Sequence, residues 1–210
     1  MKVTPIFSEY IFEFQYPDHN KYYQKWAMEI MKGKFPSKRN LPEHLKKPVT
    51  FTHADLHEIE LFNPIRDFMH QCIKQSMSEL GYSDKTKVTA MWATYQKEKD
   101  YHPYHFHPNS FLSAVYYCYT NSNKTYGTTL IDSSVNRLDM IWPEFDKTKE
   151  LKRKWNHQVP FEMGKVLIFT SSTMHRTETN ETCDRVIIGM NSMPSGLVHE
   201  NGIEHYHFWE

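Results

Sequence analysis

Cysteine is scarce in this chain: Cys72, Cys118 and Cys183 are the only three, and no two of them form a CxxC pair. An odd number of widely spaced cysteines argues against a disulfide framework and is typical of a reducing compartment. No apolar run approaches the roughly 20 residues that a membrane-spanning helix needs, and the N-terminus lacks a signal-peptide pattern. We therefore expect a cytoplasmic protein that does not enter a membrane.

The chain also has no net charge, because 25 Lys and Arg balance 25 Asp and Glu. This balance argues against nucleic acid as a partner, since nucleic-acid binding depends on a basic surface. Glycine is scarce as well, at 7 residues, whereas 15% of the chain is aromatic. We expect a core of large, flat side chains in a single domain, and the sequence gives no indication of the oligomeric state.

Periodicity divides the chain into a helical first part and a strand-rich second part. A first strand within 5–14 precedes a helix that begins near Asp18, and a longer helix, kinked or interrupted at Pro64, covers 56–80. Short apolar runs predict strands at 88–96, 111–119, 128–131, 158–161, 166–170 and 186–193. We predict an α+β fold in one domain, with supporting helices in 1–86, a jelly-roll in 87–195, a long loop or lid at 133–157 and a tail at 196–210.

Histidine is the compositional outlier, at 13 residues. His105 and His107 are two residues apart, so in an extended segment their side chains point to the same side. His175 follows an apolar strand, and ligands commonly gather at the strand ends of a jelly-roll. Three neutral imidazoles suit Zn, Cu, Fe or Ni. His102, by its spacing from His105, is expected on the opposite strand face, where it would cap the site or face solvent.

Arg185 stands ten residues after His175, at the start of an apolar run. A charged side chain in a buried strand needs a partner, because an unpaired buried charge is costly. The planar fork of arginine pairs bidentately with a carboxylate. An exposed position, or a salt bridge to Asp184 or Glu181, is the simpler alternative. Combined with the histidines, Arg185 suggests a metal-dependent oxygenase that binds an acidic co-substrate.

These pieces together resemble a known superfamily. The segment 92–95, the string HFHPNSFLSAVYY at 105–117, and the segments 164–175 and 185–191 resemble the Fe(II)/2-oxoglutarate-dependent oxygenases. The most similar pattern is that of a small branch in the prolyl-hydroxylase-like group, with the signature HxHPxSxLSGVYY. The resemblance implies a double-stranded β-helix that uses Fe(II), 2-oxoglutarate and O₂ to hydroxylate a C–H bond, with release of succinate and CO₂.

Position 107 departs from the usual facial triad of that superfamily, which has two histidines and one carboxylate. The resemblance makes His105 and His175 iron ligands, whereas His107 stands where the triad has Asp or Glu. Three interpretations are open: His107 is the third ligand, a carboxylate such as Asp132 replaces it, or water occupies the position. We favour His107, because imidazole is a competent ligand for iron.

For 2-oxoglutarate the resemblance implies a carboxylate clamp and a pocket. Arg185 would hold the distal carboxylate, and Tyr117 would hydrogen-bond the same group. Tyr95 would lie near the keto-acid end, while Ser113 and Asn191 would line the pocket. The substrate is left open between a small molecule and a peptide.

Two functions of other classes compete with this reading. Three histidines and a water would suit zinc and hydrolytic chemistry, and a jelly-roll can bind a ligand without turnover. The zinc site needs no clamp for a dicarboxylate, so Arg185 and Tyr117 argue against it, and succinate formation that depends on Fe(II) and O₂ would separate all three functions.

Overall fold

The structure is a computed structural model, and it describes residues 9–35, 50–51, 55–122, 126–131, 156–181, 184–198 and 206–208. The predicted α+β fold is confirmed, because antiparallel sheets pack against two α-helices. Asp132 lies outside the described residues, as does nearly all of the loop predicted at 133–157.

The two helices follow the periodicity of the sequence. The first, α1, covers His19–Met31, and the second, α2, covers Asn63–Glu79 after two short 3₁₀ turns. Pro64 therefore starts the second helix instead of kinking it, since proline lacks the N–H that a first turn does not use. Within the described ranges, no helix combines the length and the apolarity needed to cross a membrane.

Twelve strands follow one another along the described chain. They are β1 (Ile11–Gln15), β2 (Thr50–Phe51), β3 (Thr86–Gln96), β4 (His102–His105), β5 (Leu112–Thr120), β6 (Thr128–Ile131), β7 (Asn156–Gln158), β8 (Lys165–Thr170), β9 (Met174–Thr177), β10 (Arg185–Pro194), β11 (Gly196–Val198) and β12 (Tyr206–Phe208). The larger sheet has the order β1-β8-β5-β10-β3-β2, the smaller sheet has the order β4-β9-β6-β7, and β11 pairs with β12.

Alternation along the strands of the larger sheet separates two apolar cores. One face packs against the helices, and its core contains Trp26, Ile73 and Tyr116. The other face lies against the smaller sheet, and its core contains Tyr117 together with Leu130 of β6. Adjacent residues of a strand point to opposite faces, so Tyr116 and Tyr117 are both fully buried in different cores. The candidate site lies on the face of Tyr117, between the two sheets.

Candidate active site

Three histidines converge beside the smaller sheet. His105, His107 and His175 each offer one ring nitrogen, and these nitrogens lie within 4.8 Å of one another. In the part of the chain that the structure describes, this is the one group of three or more His, Cys, Asp or Glu with such spacing. Nitrogens this close can share a transition-metal ion, for which neutral imidazole is a preferred ligand.

One antiparallel pair of strands brings the histidines together. In the pairing of β4 with β9, His105 stands opposite His175, and the ring centroids are 4.1 Å apart. His107 follows just after β4, where its backbone N–H donates to the carbonyl of Ser171 at 2.9 Å. The ring of His107 lies 4.9 Å from that of His175. The sequence put His175 past the end of a strand, whereas it lies inside β9, a short strand of its own.

Hydrogen bonds at Nδ1 orient two of these rings. Nδ1 of His105 lies 2.8 Å from the carbonyl oxygen of Pro103, and Nδ1 of His175 lies 2.9 Å from that of Thr173. A carbonyl can only accept, so both rings carry a proton on Nδ1 and leave the Nε2 lone pair for a metal. Outer hydrogen bonds of this kind are the usual partners of metal-binding histidines.

Burial favours the neutral form of His105 and His175. It lowers the pKa of His105, and it holds the pKa of His175 well below the ordinary value, with the neighbouring His105 acting in the same direction. Neutral imidazole is the form that binds a metal, so His105 and His175 can bind at neutral pH without losing protons first.

His102 is a fourth imidazole beside this group, and the prediction that it lies on the opposite face is wrong. Its ring centroid is 3.9 Å from that of His105. His102 stands opposite Thr177 and His105 opposite His175, so three steps on β4 match two on β9. This bulge changes the alternation and turns both rings to the same side. Burial, followed by the nearby imidazoles, lowers the pKa of His102 to about 3.

Arg185 begins β10 and is fully buried, which excludes the exposed position considered from the sequence. Its Nε donates to Oε1 of Gln96 at 2.6 Å. Its terminal nitrogens donate to the carbonyl oxygens of Tyr126 at 2.6 Å and Glu178 at 3.0 Å. These contacts hold the planar guanidinium in one orientation inside the barrel.

Tyr117 belongs to the same buried polar region. Its hydroxyl accepts the backbone N–H of Thr128 and donates to Oγ1 of Thr128, both at 3.0 Å. Burial raises the pKa of Tyr117 to about 12, while the bonds to Thr128 and the charge of Arg185 act in the opposite direction. The charge of Arg185 therefore acts on Tyr117 inside the protein, and their expected role in binding 2-oxoglutarate stays a prediction.

Tyr95 does not join this region, which corrects the role expected for it. Its hydroxyl donates to Oδ1 of Asp184 at 2.6 Å, and its ring packs against the core under the helices. The next residue, Gln96, points between the sheets and contacts Arg185 instead. Gln96 was not predicted as a site residue, although a polar residue in phase with Trp92 on an apolar strand was a usable signal.

Ser113 and Asn191 contact a histidine of the group. Nδ1 of His107 lies 2.8 Å from Oγ of Ser113 and 2.7 Å from Oδ1 of Asn191. Ser113 on β5 stands opposite Asn191 on β10, so the larger sheet presents both side chains together. The two residues expected in the pocket thus lie beside the third histidine.

Comparison with known proteins agrees with this geometry. The sequence family described as "Putative 2OG-Fe(II) oxygenase" matches residues 90–191, just under half of the chain. The resemblance to 2OG-Fe(II) oxygenases is thereby confirmed. The matched segment contains the three histidines and Arg185. No curated protein matches the chain.

Solved structures of 2OG-Fe(II) oxygenases share the fold. The α-ketoglutarate-dependent epimerase SnoN from nogalamycin biosynthesis gives a TM-score of 0.62 at 14% identity, covering 92% of this chain and 80% of that one. A prolyl-4-hydroxylase from Pseudomonas putida gives a TM-score of 0.58 at 13% identity, covering 89% of this chain and 94% of that one. The viral collagen prolyl hydroxylase of Paramecium Bursaria Chlorella virus-1 gives a TM-score of 0.54 at 13% identity, covering 88% of this chain and 96% of that one. At identities this low, the structural similarity establishes the jelly-roll fold alone. Together with the family match, it supports a 2-oxoglutarate-dependent Fe(II) oxygenase.

Proposed function

We propose that this protein is a 2-oxoglutarate-dependent Fe(II) dioxygenase that hydroxylates a C–H bond of a small molecule or peptide and releases succinate and CO₂. The observation that carries the proposal is that a group of metal-competent histidines and a buried arginine share one barrel. Gln96 spans the distance between them, because its side chain contacts both Arg185 and Thr177, two residues beyond His175.

His105, His107 and His175 would hold the iron. The donor set fits, because burial lowers the pKa of His105 and His175 and their Nδ1 hydrogen bonds leave Nε2 as the ligand atom. Bound iron, with 2-oxoglutarate and O₂, supplies oxidative decarboxylation coupled to hydroxylation. Three imidazole ligands would add no negative charge to the iron, so the dianion of 2-oxoglutarate would balance the double charge of Fe(II).

Arg185 and Tyr117 would receive the distal carboxylate of 2-oxoglutarate. A buried guanidinium offers two parallel N–H donors to such a group. The raised pKa of Tyr117 keeps its phenol protonated at neutral pH. The proton that Tyr117 donates to Oγ1 of Thr128 would turn to the carboxylate when the co-substrate binds. The surrounding apolar core excludes water, which strengthens both interactions.

The clamp is tested by calorimetry of 2-oxoglutarate binding to the Fe(II)-loaded protein without oxygen. Arg185→Ala is expected to lower the affinity at least about tenfold and to leave the iron content unchanged, because a hydrogen bond to a charged group contributes about 1.5–3 kcal/mol. Arg176→Ala is the matched control, since Arg176 pairs with Glu178 and lies over the ring of Tyr104. Wild-type affinity in Arg185→Ala would reject the clamp.

Turnover is tested by succinate formation. It is expected to require Fe(II), 2-oxoglutarate and O₂ together, and to be lost in His175→Ala but kept in His157→Ala, whose histidine is exposed on β7. Hydrolytic activity with zinc, independent of 2-oxoglutarate, would instead favour the three-histidine zinc site.

A further inference from the structure

His107 stands where a carboxylate is usual, and its outer nitrogen contacts side chains instead of a backbone carbonyl. Those side chains are the hydroxyl of Ser113, at 2.8 Å, and the amide oxygen of Asn191, at 2.7 Å. A hydroxyl can donate or accept, so the tautomer of His107 depends on where the proton of Ser113 points.

A chain of serine hydroxyls begins at backbone carbonyls. Oγ of Ser110 lies 3.3 Å from the carbonyl oxygen of Leu112 and 3.2 Å from that of Ser192, so it donates to the backbone. Oγ of Ser171 in turn donates to Oγ of Ser110 at 2.8 Å. Because each hydroxyl has a single proton, Ser171 has none left for a further acceptor.

The direction of this chain fixes the tautomer of His107. Ser113 lies 2.8 Å from Oγ of Ser171 and 3.0 Å from Oδ1 of Asn191. Neither of these oxygens has a proton to donate, so the single proton of Ser113 is directed to them. Its proton therefore points away from His107, and its oxygen accepts. Both partners of Nδ1 are acceptors, so Nδ1 carries the proton and Nε2 carries the lone pair.

We infer that Ser113 and Asn191 are positioning residues for the third metal ligand: they hold His107 as the Nδ1–H tautomer and direct its Nε2 toward the metal. The inference rests on the metal site of the proposed function, but not on 2-oxoglutarate. Ser113 and Ser171 are fully buried, so a misdirected proton in this chain would leave a buried polar group without its bond. Asn191 and Ser113 thus do for His107 what the carbonyls of Pro103 and Thr173 do for the other two rings.

The first measurement is the tautomer of His107 in the metal-free protein, read from nitrogen-15 chemical shifts of labelled histidine. The wild type is expected to carry the proton on Nδ1. Ser113→Ala combined with Asn191→Leu should release this preference and give a mixture of tautomers. Ser76→Ala is the matched control, since its fully buried hydroxyl on α2 donates to the carbonyl of Cys72 at 2.9 Å and takes no part in this chain.

The second measurement is Co(II) affinity in competition with a chelator, together with the visible spectrum of the bound ion. The double variant should lose about 10- to 100-fold in affinity, the usual effect of removing an outer partner of a metal-binding histidine. Ser113→Ala combined with Asn191→Asp, in place of Asn191→Leu, should restore both the Nδ1–H tautomer and the Co(II) affinity, because a carboxylate also accepts from Nδ1–H. If the double variant does not fold, Asn191→Leu alone, at a partly exposed position, gives the same two readouts.

An unchanged tautomer together with unchanged Co(II) affinity in the folded variants would overturn the positioning role. The His107→Ala variant separates the proposed metal site from the positioning role of Ser113 and Asn191. If His107→Ala binds Co(II) like the wild type, then His107 is not a ligand, and the proposed metal site fails together with this inference. If His107→Ala weakens binding and Asn191→Leu with Ser113→Ala does not, only the inference fails.

Discussion

Arg185 and Gln96 face each other in register on β10 and β3, and Nε of Arg185 donates to Oε1 of Gln96 at 2.6 Å. The amide nitrogen of Gln96 donates to Oγ1 of Thr177 at 3.0 Å, and Thr177 also accepts the backbone N–H of His102. One fully buried amide therefore joins the arginine of the larger sheet to the strand pair that carries the metal-binding histidines.

Replacing Gln96 is expected to weaken 2-oxoglutarate binding without touching the co-substrate. Gln96→Leu removes an acceptor from the guanidinium and leaves Arg185 misaligned. The hydrogen bond to the charged group contributes about 1.5–3 kcal/mol, so the affinity for 2-oxoglutarate should fall by about 10- to 100-fold. Gln96→Glu places a carboxylate against Arg185 that competes with the co-substrate. Anaerobic calorimetry measures both effects, with the exposed Gln75→Glu on α2 as control. Normal binding by Gln96→Leu would mean that the other contacts suffice to orient Arg185.

Tyr116 and Tyr117 offer a matched pair, because both are fully buried and each hydroxyl is hydrogen-bonded, Tyr116 to Nδ1 of His19 at 2.6 Å. Replacing either by Phe should cost about 1 kcal/mol of unfolding free energy. Only Tyr117→Phe should lower the affinity for 2-oxoglutarate, by about tenfold for one lost bond to a carboxylate. Denaturant titration and calorimetry on the same samples separate the two effects. Equal 2-oxoglutarate affinities in the two variants would remove Tyr117 from the clamp.

The long strands could be predicted from the sequence because they are buried on both faces. Continuous apolar runs predicted strands at 111–119 and 186–193, and the structure has Leu112–Thr120 and Arg185–Pro194. The smaller sheet was harder to predict, since its strands are short and polar. The predicted strand at 158–161 lies instead at Asn156–Gln158, where pairing with β6 decides the position.

Face assignment within the site depended on features that single residues do not reveal. The bulge between His102 and His105 arises from the pairing of β4 with β9, which no local pattern of β4 specifies. For Tyr95 the resemblance favoured the tyrosine, whereas alternation gives the inward position to Gln96. A shift of one residue moves a side chain to the other face, so a correct strand can still carry a wrong site residue.

The position of Tyr95 on the helix side of the sheet gives a prediction that differs from the one for Tyr117. Tyr95→Phe removes the hydrogen bond to Asp184 and should lower the unfolding free energy by about 1 kcal/mol. Its affinity for 2-oxoglutarate should equal that of the wild type, because the ring packs against the helix-side core. A marked drop in affinity would return Tyr95 to the co-substrate site.

The buried imidazoles should make stability depend on pH. Burial lowers the pKa of His102, His105 and His175 in the folded protein relative to the unfolded chain. Below the ordinary histidine pKa of about 6.5 the unfolded chain therefore binds more protons, so the unfolding free energy rises with pH in that interval. This contribution to the unfolding free energy is fully present above about pH 6.5 and is lost as the pH falls toward the pKa values of the folded protein. The loss is about 1.4 kcal/mol per pH unit for each imidazole that stays neutral.

Urea titrations of the metal-free protein on the acid side of about pH 6.5 measure this slope. His102→Asn removes one imidazole whose pKa is lowered to about 3, and should reduce the slope by up to about 1.4 kcal/mol per pH unit. His157→Asn is the matched control, because it makes the same substitution at a histidine exposed on β7. Carboxylates contribute equally to all three proteins, so the difference isolates the ring. Identical slopes in His102→Asn and the wild type would mean that solvent reaches His102, and burial would then no longer account for the neutral histidine group.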